Sequence, residues 1–391
     1  MSSNETMEQA RCYQINLQRG CGGGEVYTGF FSRALAACNI ETTLFAHPGA
    51  GFWDARLPAA ARIERVATAA EVAARMQVVE PAWIVCHAPL NGALAKALRA
   101  QGHRLCCFAH MPLYGRNPEP LAACETIFPV SAYVLDSLLA HGLEQAYREP
   151  LLGVADLSLR GAAGAIRQAS PYDWDRRKYR DRLLGWLEPL AEPFRSRPAF
   201  QRRPGVTLGI VSRLTPIKQF PLLFEVLAPV LARHPHVRLE IFGAGGYASV
   251  RALRRALGPV LEQTRFWGHQ ADVSAAYRQL DYLLTGLPEK EALGLNVIEA
   301  QACGTPVLAV AAPPFTETVV DEVSGLFYPD PRSDHGVGFG RLIERLEAAP
   351  FRIDAAAAAG HLARFGEAAF VERVGRLVAW CRRHGMLAAS I

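Results

Sequence analysis

The stretch that most constrains this chain runs from Leu287 to Val310, LPEKEALGLNVIEAQACGTPVLAV. It opens on a polar loop, Pro288-Glu289-Lys290-Glu291. Gly294 then starts an apolar-periodic run, Leu295, Val297, Ile298, Ala300 and Ala302, whose spacing predicts a short helix. Gly304 ends it, because glycine is the cheapest residue at a left-handed C-cap. Pro306 follows, and Val307 to Val310 reads as a buried strand. One glutamate, Glu291, falls just before the helix N-terminus and a second, Glu299, one to two turns inside it. A helix N-terminus presents unpaired N–H groups and a partial positive charge, which suit a phosphate or carboxylate. Glu299 can then accept from hydroxyls bound beside that anion. Two glutamates on a helix are usually a solvated face. The full pattern, E-x-x-G-L-x-x-x-E-A-x-A-x-G-x-P-V, is far more specific.

The same half of the chain carries a second cluster. Val206 to Val211 (VTLGIV) predicts a buried strand, and it runs into Ser212-Arg213-Leu214-Thr215-Pro216-Ile217-Lys218 and a helix from about Pro221 to Arg233. Arg213 and Lys218 fall at the strand's C-terminal end, where ligands bind in open α/β sheets. Two cations there suit a diphosphate. Val237 to Phe242 is the next strand, followed by Gly243-Ala-Gly-Gly246, a turn through which backbone can approach a ligand. Thr264 to Trp267 is another strand, ending at Gly268-His269, and Tyr282 to Thr285 a further one.

These motifs resemble the signature of the retaining GT-B glycosyltransferases of family 4 (glycosyl transferases group 1), which use nucleotide-sugar donors. Arg213 and Lys218 match the family's G-R-L-x-x-x-K pattern, with Ser212 in place of the glycine. Ala292-Leu293 stands where the family often has Gly-Phe, a departure that bears on the sugar pocket. The resemblance implies two doubly wound, Rossmann-like α/β domains facing a central cleft. It implies that Arg213, Lys218 and the helix start at Gly294, Leu295 and Asn296 hold the donor diphosphate, that Glu299 holds the ribose and that Glu291 holds the donor sugar. It places the loop at Gly268-His269 against the nucleobase. His269 is equally readable as an exposed loop residue.

The first half fits more loosely. Cys12 to Leu17 predicts a strand running into Arg19-Gly-Cys-Gly-Gly-Gly24 and a helix from about Glu25 to Cys38. Strand, glycine-rich turn and helix bring backbone N–H groups near a phosphate. A dinucleotide motif fits badly, since Glu25 takes the sixth position of G-x-G-x-x-G and no acidic residue ends the strand Thr42 to Ala46. The resemblance puts Gly23 and Gly24 near the donor phosphates. Ala82 to Cys86 is a continuous apolar run, as a central parallel strand requires. Arg104 to Ala109 is a strand that delivers His110 to its C-terminal end, and the family has a histidine there that contacts the donor sugar. Ser131 reads as an N-cap.

The expected domains are 1–204, the acceptor-binding half with a basic insertion at about 155–204; 205–364, the nucleotide-sugar half; and 365–391, a helix crossing back to the first. The insertion mixes Tyr172, Trp174, Tyr179 and Trp186 with many arginines, among them Arg195, Arg197, Arg202 and Arg203. Such a stretch can lie on an anionic membrane, or form a solvated helix pair. The first eleven residues read as a polar, disordered lead-in.

The net charge of +5 is mildly basic and does not argue for nucleic acid. Nine cysteines without regular spacing, with Cys106 and Cys107 in an apolar run, indicate core thiols and a reducing cytoplasm, with peripheral association at the inner face of the membrane as an option. Neither a DxD-type site nor a ligand-spaced His/Cys cluster stands out, so no metal and no cofactor are expected. The reading is a retaining transfer from a nucleoside diphosphate sugar, UDP- or GDP-linked, to a saccharide or lipid-linked saccharide acceptor in cell-surface synthesis. The rivals are a nucleotide-sugar 2-epimerase, a dinucleotide-dependent oxidoreductase, a two-carboxylate glycosidase and a non-catalytic scaffold.

Overall fold

In the computed structural model the described residues are 10–155, 166–174, 179, 183, 185–186 and 197–387. They form two compact units, residues 1–154 with 363–391, and residues 155–362.

The first unit is built on six strands: β1 (Arg11–Asn16), β2 (Glu41–Ala46), β3 (Arg62–Arg65), β4 (Trp83–Cys86), β5 (Arg104–Ala109) and β6 (Thr126–Pro129). All pairs are parallel, in the order β3-β2-β1-β4-β5-β6. This is the doubly wound order whose direction reverses between β1 and β4, the switch point where such sheets open a crevice. Every residue of β4 is buried, which explains its uninterrupted WIVC. Helices cross between strands, among them Gly23–Ala37 and Ala132–Ala140, the latter capped by Ser131 Oγ accepting from Val134 N at 3.1 Å. The C-terminal helix Glu367–Arg383 buries Phe370, Val374, Leu377 and Val378 in this unit and is tied to the first helix by Arg33 Nε donating to Glu367 at 2.8 Å. Arg11 opens β1 with its guanidinium on Glu41, so the last of the eleven residues expected to be a disordered lead-in belongs to a strand.

The second unit repeats the plan: β7 (Val206–Val211), β8 (Val237–Phe242), β9 (Thr264–Gly268), β10 (Tyr282–Leu284), β11 (Val307–Val310) and β12 (Gly325–Tyr328). The order is β12-β11-β10-β7-β8-β9, again all parallel, with the switch between β7 and β10. Its core interleaves Leu208, Ile210, Leu239 and Ile241 with Phe224 and Leu227 of the helix Phe220–Leu231.

The boundary expected at residue 204 falls instead at 154/155. The described part of the insertion is stitched into the second unit: Ala169 N donates to Trp267 O at 2.9 Å, Gly245 N to Pro171 O at 3.0 Å and Asp173 N to Gly245 O at 2.8 Å. The two basic residues closing the insertion are anchors. Arg202 pairs with Asp281 at 2.6 Å, and Arg203 pairs at 2.9 Å with Glu240, whose side chain is 1% exposed. Both guanidiniums are therefore paired with buried carboxylates of the second unit, Arg203 largely covered and Arg202 still exposed to solvent. The remaining arginine-rich residues, 175–178, 180–182 and 187–196, lie outside the described residues. Among the described residues no helix is long and apolar enough to cross a membrane.

Candidate active site

In the second unit the loops after β7 and β10, the two strands flanking the switch, meet. Lys218 closes a single 3-10 turn, Pro216–Lys218, and Gln219 follows at φ +55°. Its ammonium is bonded to a carboxylate oxygen of Glu291, 73 residues on, and both side chains are largely buried. The other Glu291 oxygen accepts from Ala292 N at 3.2 Å. Gly286 lets the two loops close, since a Cβ there would sit 2.3 Å from Lys218 O.

The helix expected from Gly294 runs Leu295–Ala302. Gly294 adopts φ +83° as its N-cap, a conformation that favours glycine, and Gly304 at φ +81° ends it. Asn296 Nδ2 donates to Val211 O, the last carbonyl of β7, at 3.2 Å. That bond fixes the helix start over the strand end. The N–H groups of Leu295 and Asn296 precede the first intrahelical bonds, Val297 N and Ile298 N to Gly294 O. They are the donors such a helix start can offer an anion.

Glu299 is oriented by a residue that no motif flagged. Tyr277, fully buried at the end of the helix Val273–Tyr277, donates its hydroxyl to Glu299 Oε2 at 2.8 Å. Burial, and next the charge of Glu299, push the tyrosine well above its ordinary range, so it remains a donor. The signal in the sequence was only that a tyrosine stands in an otherwise small and apolar run, Val273-Ser-Ala-Ala-Tyr277.

Arg213 is exposed just past β7, and among the described residues its side chain makes no hydrogen bond or ion pair. Gly243 follows β8 at φ +146°, and a Cβ there would lie 1.9 Å from Ser212 O. The space it leaves is filled by the chain itself, since Ser212 N donates to Phe242 O and Gly243 N to Gly268 O at 2.7 Å. This internal packing is one reason for a glycine at position 243. His269 is exposed at the end of β9, on the far side of β8 from Lys218.

In the first unit, the helix after the glycine-rich turn starts at Gly23, two residues earlier than expected. Gly23 and Gly24 are its first residues, and Glu25 folds its carboxylate back on the turn, accepting from Gly22 N at 2.9 Å. This N-terminus thus carries a carboxylate of its own. Asn16 Nδ2 donates to Thr28 Oγ1 at 3.1 Å and holds β1 to the helix. His110 stands just past β5, enclosed by Tyr27, Phe108 and His87, with ring centroids 5.0, 5.5 and 5.6 Å away. Its Nε2 lies 3.3 Å from His87 Nδ1. Burial lowers the His110 pKa from 6.5 to about 4. His87 was not anticipated, although it follows the apolar strand β4 just as His110 follows β5.

The family model of glycosyl transferases group 1 matches residues 197–350, and these span the β7 and β10 loops just described. The second unit is a glycosyl transferases group 1 domain. Curated relatives of the chain include the D-inositol 3-phosphate glycosyltransferase of Segniliparus rotundus, 33% identical over 168 residues, which is 40% of this chain and 36% of that protein. The enzyme of the same name from Rhodococcus erythropolis is 32% identical over 187 residues, 43% of this chain and 41% of that one. The chain thus spans about two fifths of the length of these curated relatives. Among solved structures, Anabaena HepE in complex with UDP and glucose superposes with a TM-score of 0.68 at 16% identity, covering 95% of this chain and 99% of that one. Sucrose-phosphate synthase from Thermosynechococcus elongatus gives 0.70 at 16% identity, covering 96% and 100%. At that identity the likeness shows the fold, which for the group 1 domain and its companion unit is GT-B.

Proposed function

We propose that the protein is a retaining glycosyltransferase that moves a sugar from a nucleoside diphosphate sugar to a hydroxyl acceptor. The observation that carries this reading is the joining of Lys218 and Glu291 beside the N-terminus of Leu295–Ala302, at the switch point of the second sheet. One cation, one carboxylate and two helix-start N–H groups within a single loop cluster match a diphosphate attached to a polyol.

The difficult step is breaking the anomeric C–O bond, which yields an oxocarbenium-like centre and a diphosphate. Arg213, Lys218 and the N–H groups at Leu295 and Asn296 would stabilise the diphosphate charge as it develops. Glu299, held by Tyr277, would accept from the ribose hydroxyls. Glu291 would accept from hydroxyls of the donor sugar, and His110 would contact that sugar. The acceptor oxygen bonds to the anomeric carbon on the face the diphosphate leaves, and its proton passes to the departing phosphate. The step therefore needs neither a separate general base nor a metal. Anabaena HepE, of the same fold, was crystallised with UDP and glucose, which supports a uridine diphosphate sugar as donor. The curated relatives' names support a small phosphorylated polyol as acceptor, beside the saccharide or lipid-linked saccharide that the sequence motifs suggest.

A thermal-shift panel of UDP, GDP, ADP, CDP and NAD on the wild type and Glu299→Ala tests the donor site, because a ligand of the folded state raises the melting temperature by mass action. One diphosphate should stabilise the wild type and fail on the variant. A response to NAD alone would remove the transferase reading. Product analysis without acceptor separates the 2-epimerase, and the anomeric configuration of the product decides retention.

A further inference from the structure

Four side chains of the first unit form one buried polar line. Ser32 Oγ donates to Thr28 O at 2.9 Å, a helix carbonyl that can only accept. Gln14 Nε2, on β1, donates to Ser32 Oγ at 2.9 Å. The amide oxygen of Gln14 is left to face His87 Nε2 at 2.8 Å. Gln14 is fully buried and His87 is 7% exposed.

The donor roles follow from counting protons. A neutral imidazole carries one N–H. His87 gives its own, from Nε2, to the Gln14 carbonyl, which leaves Nδ1 an acceptor. His110 Nε2, 3.3 Å away, must then be the donor. His110 in turn has one N–H, so its Nδ1 is a lone pair. Among the described residues that nitrogen makes no hydrogen bond to the protein.

Resting on the transferase reading, we infer that His87, anchored by Gln14, is a positioning residue. It holds His110 in the Nε2–H tautomer, so that His110 Nδ1 accepts a hydrogen bond from a hydroxyl of the donor sugar. The pair Gln14–His87 straddles the β1/β4 switch, and His110 follows the neighbouring strand β5. Phe108 stacks on both imidazoles, at 5.2 Å and 16° on His87 and 5.5 Å and 24° on His110, which fixes the ring planes. Burial keeps both rings neutral: it holds His87 well below 6.5, with His110 adding to the effect, and His110 near 4. A protonated His110 would donate from both nitrogens and could not accept, so the hydrophobic setting and the relay favour the same state.

Two-bond proton–nitrogen correlation spectra of histidine-labelled protein read the tautomer with no ligand present. The wild type should show His110 as Nε2–H. His87→Phe should release it to a mixture and raise the donor KM about tenfold, with a smaller change in kcat, the effect of losing one oriented hydrogen bond. His87→Asn, whose side-chain oxygen lies near the position of the His87 Nδ1 acceptor, should restore the tautomer and most of the KM. An Nδ1–H His110 in the wild type would overturn the inference. So would a His87→Phe variant, folded by circular dichroism, with tautomer or KM unmoved. If no nucleotide sugar binds the wild type, the transferase reading fails, and with it the sugar contact. The spectra alone then decide the relay.

Discussion

Lys218 and Glu291 are each other's partner: the ammonium proposed for the diphosphate is bonded to the carboxylate proposed for the sugar. Their side chains are 24% and 16% exposed, so neither charge can be left alone without cost. A donor must therefore take over both partners at once, the phosphate taking the lysine and the sugar hydroxyls the glutamate.

That exchange separates the two residues experimentally. Glu291→Gln removes the competitor for Lys218, so free nucleoside diphosphate should stabilise this variant at least as much as the wild type, while transfer falls by about a hundredfold or more, the loss of a charged contact in the transition state. Lys218→Met should lose most of the diphosphate-induced shift and also activity. Both should cost about 1–3 kcal/mol of stability, as expected when a charge-assisted hydrogen bond is cut. A weaker diphosphate response in Glu291→Gln would show that the pair does not compete with the ligand.

Tyr277 offers a subtler probe. Tyr277→Phe keeps the ring in its core and deletes only the 2.8 Å hydrogen bond to Glu299. Glu299 keeps its charge and loses its orientation. The donor KM should rise about three- to tenfold with kcat nearly unchanged, since a ground-state contact is loosened and no reacting group is touched. An unchanged KM would mean that Glu299 is held well enough by other contacts.

Acid should weaken the first unit through its two buried histidines. In the unfolded chain both titrate near 6.5. In the folded chain burial lowers His110 to about 4 and His87 further still. The groups facing them are Gln14, Phe31, Tyr27 and Phe108, none of which supplies a carboxylate. Below pH 6.5 the unfolded state thus holds more protons, and stability falls with pH until His110 itself charges near 4. Denaturant titrations at pH 7.5 and 5.5 should differ by roughly 3 kcal/mol from these two residues, and His87→Asn should remove about half of the difference. Equal pH dependence in wild type and variant would contradict the assignment.

How far the sequence revealed this depends on the range of each interaction. Most strands of both sheets were legible as short apolar runs with their own turn chemistry, and the helix Leu295–Ala302 because Gly294 and Gly304 bracket it; β3, with the sequence RIER, has no such run and was missed. Tyr277 and Glu299 lie 22 residues apart on different elements, and Lys218 and Glu291 lie 73 apart, so their contacts exist only once the sheet order is set. His87 obeyed the rule that singled out His110, a polar residue directly after a buried parallel strand. The boundary at 204 was misplaced because composition shows that residues 195–203 are arginine-rich and not which carboxylates wait for them.

Glu240 shows what that composition concealed, and it supplies a decisive test of the connection. It is the one acid in the strand VRLEIF and it is fully buried. Arg203 donates to it through Nη2 at 2.9 Å and Nε at 3.3 Å, and Trp267 Nε1 donates at 2.6 Å. Arg203 also donates to Gln263 O at 2.7 Å, so one side chain fastens the end of the insertion to β8 and to the residue preceding β9. Arg203→Leu would leave a carboxylate in the core with only an indole N–H for company. Removing one partner of a buried pair costs about 3–5 kcal/mol, more than the pair itself contributes, because the survivor remains desolvated. Arg203→Leu should therefore unfold the second unit at markedly lower denaturant, with an early change in Trp267 fluorescence. Arg203→Leu combined with Glu240→Gln should recover most of the loss, since an uncharged amide tolerates that site far better. If the single variant were as stable as the wild type, the Arg203–Glu240 pair would not be what fastens the insertion to the second unit.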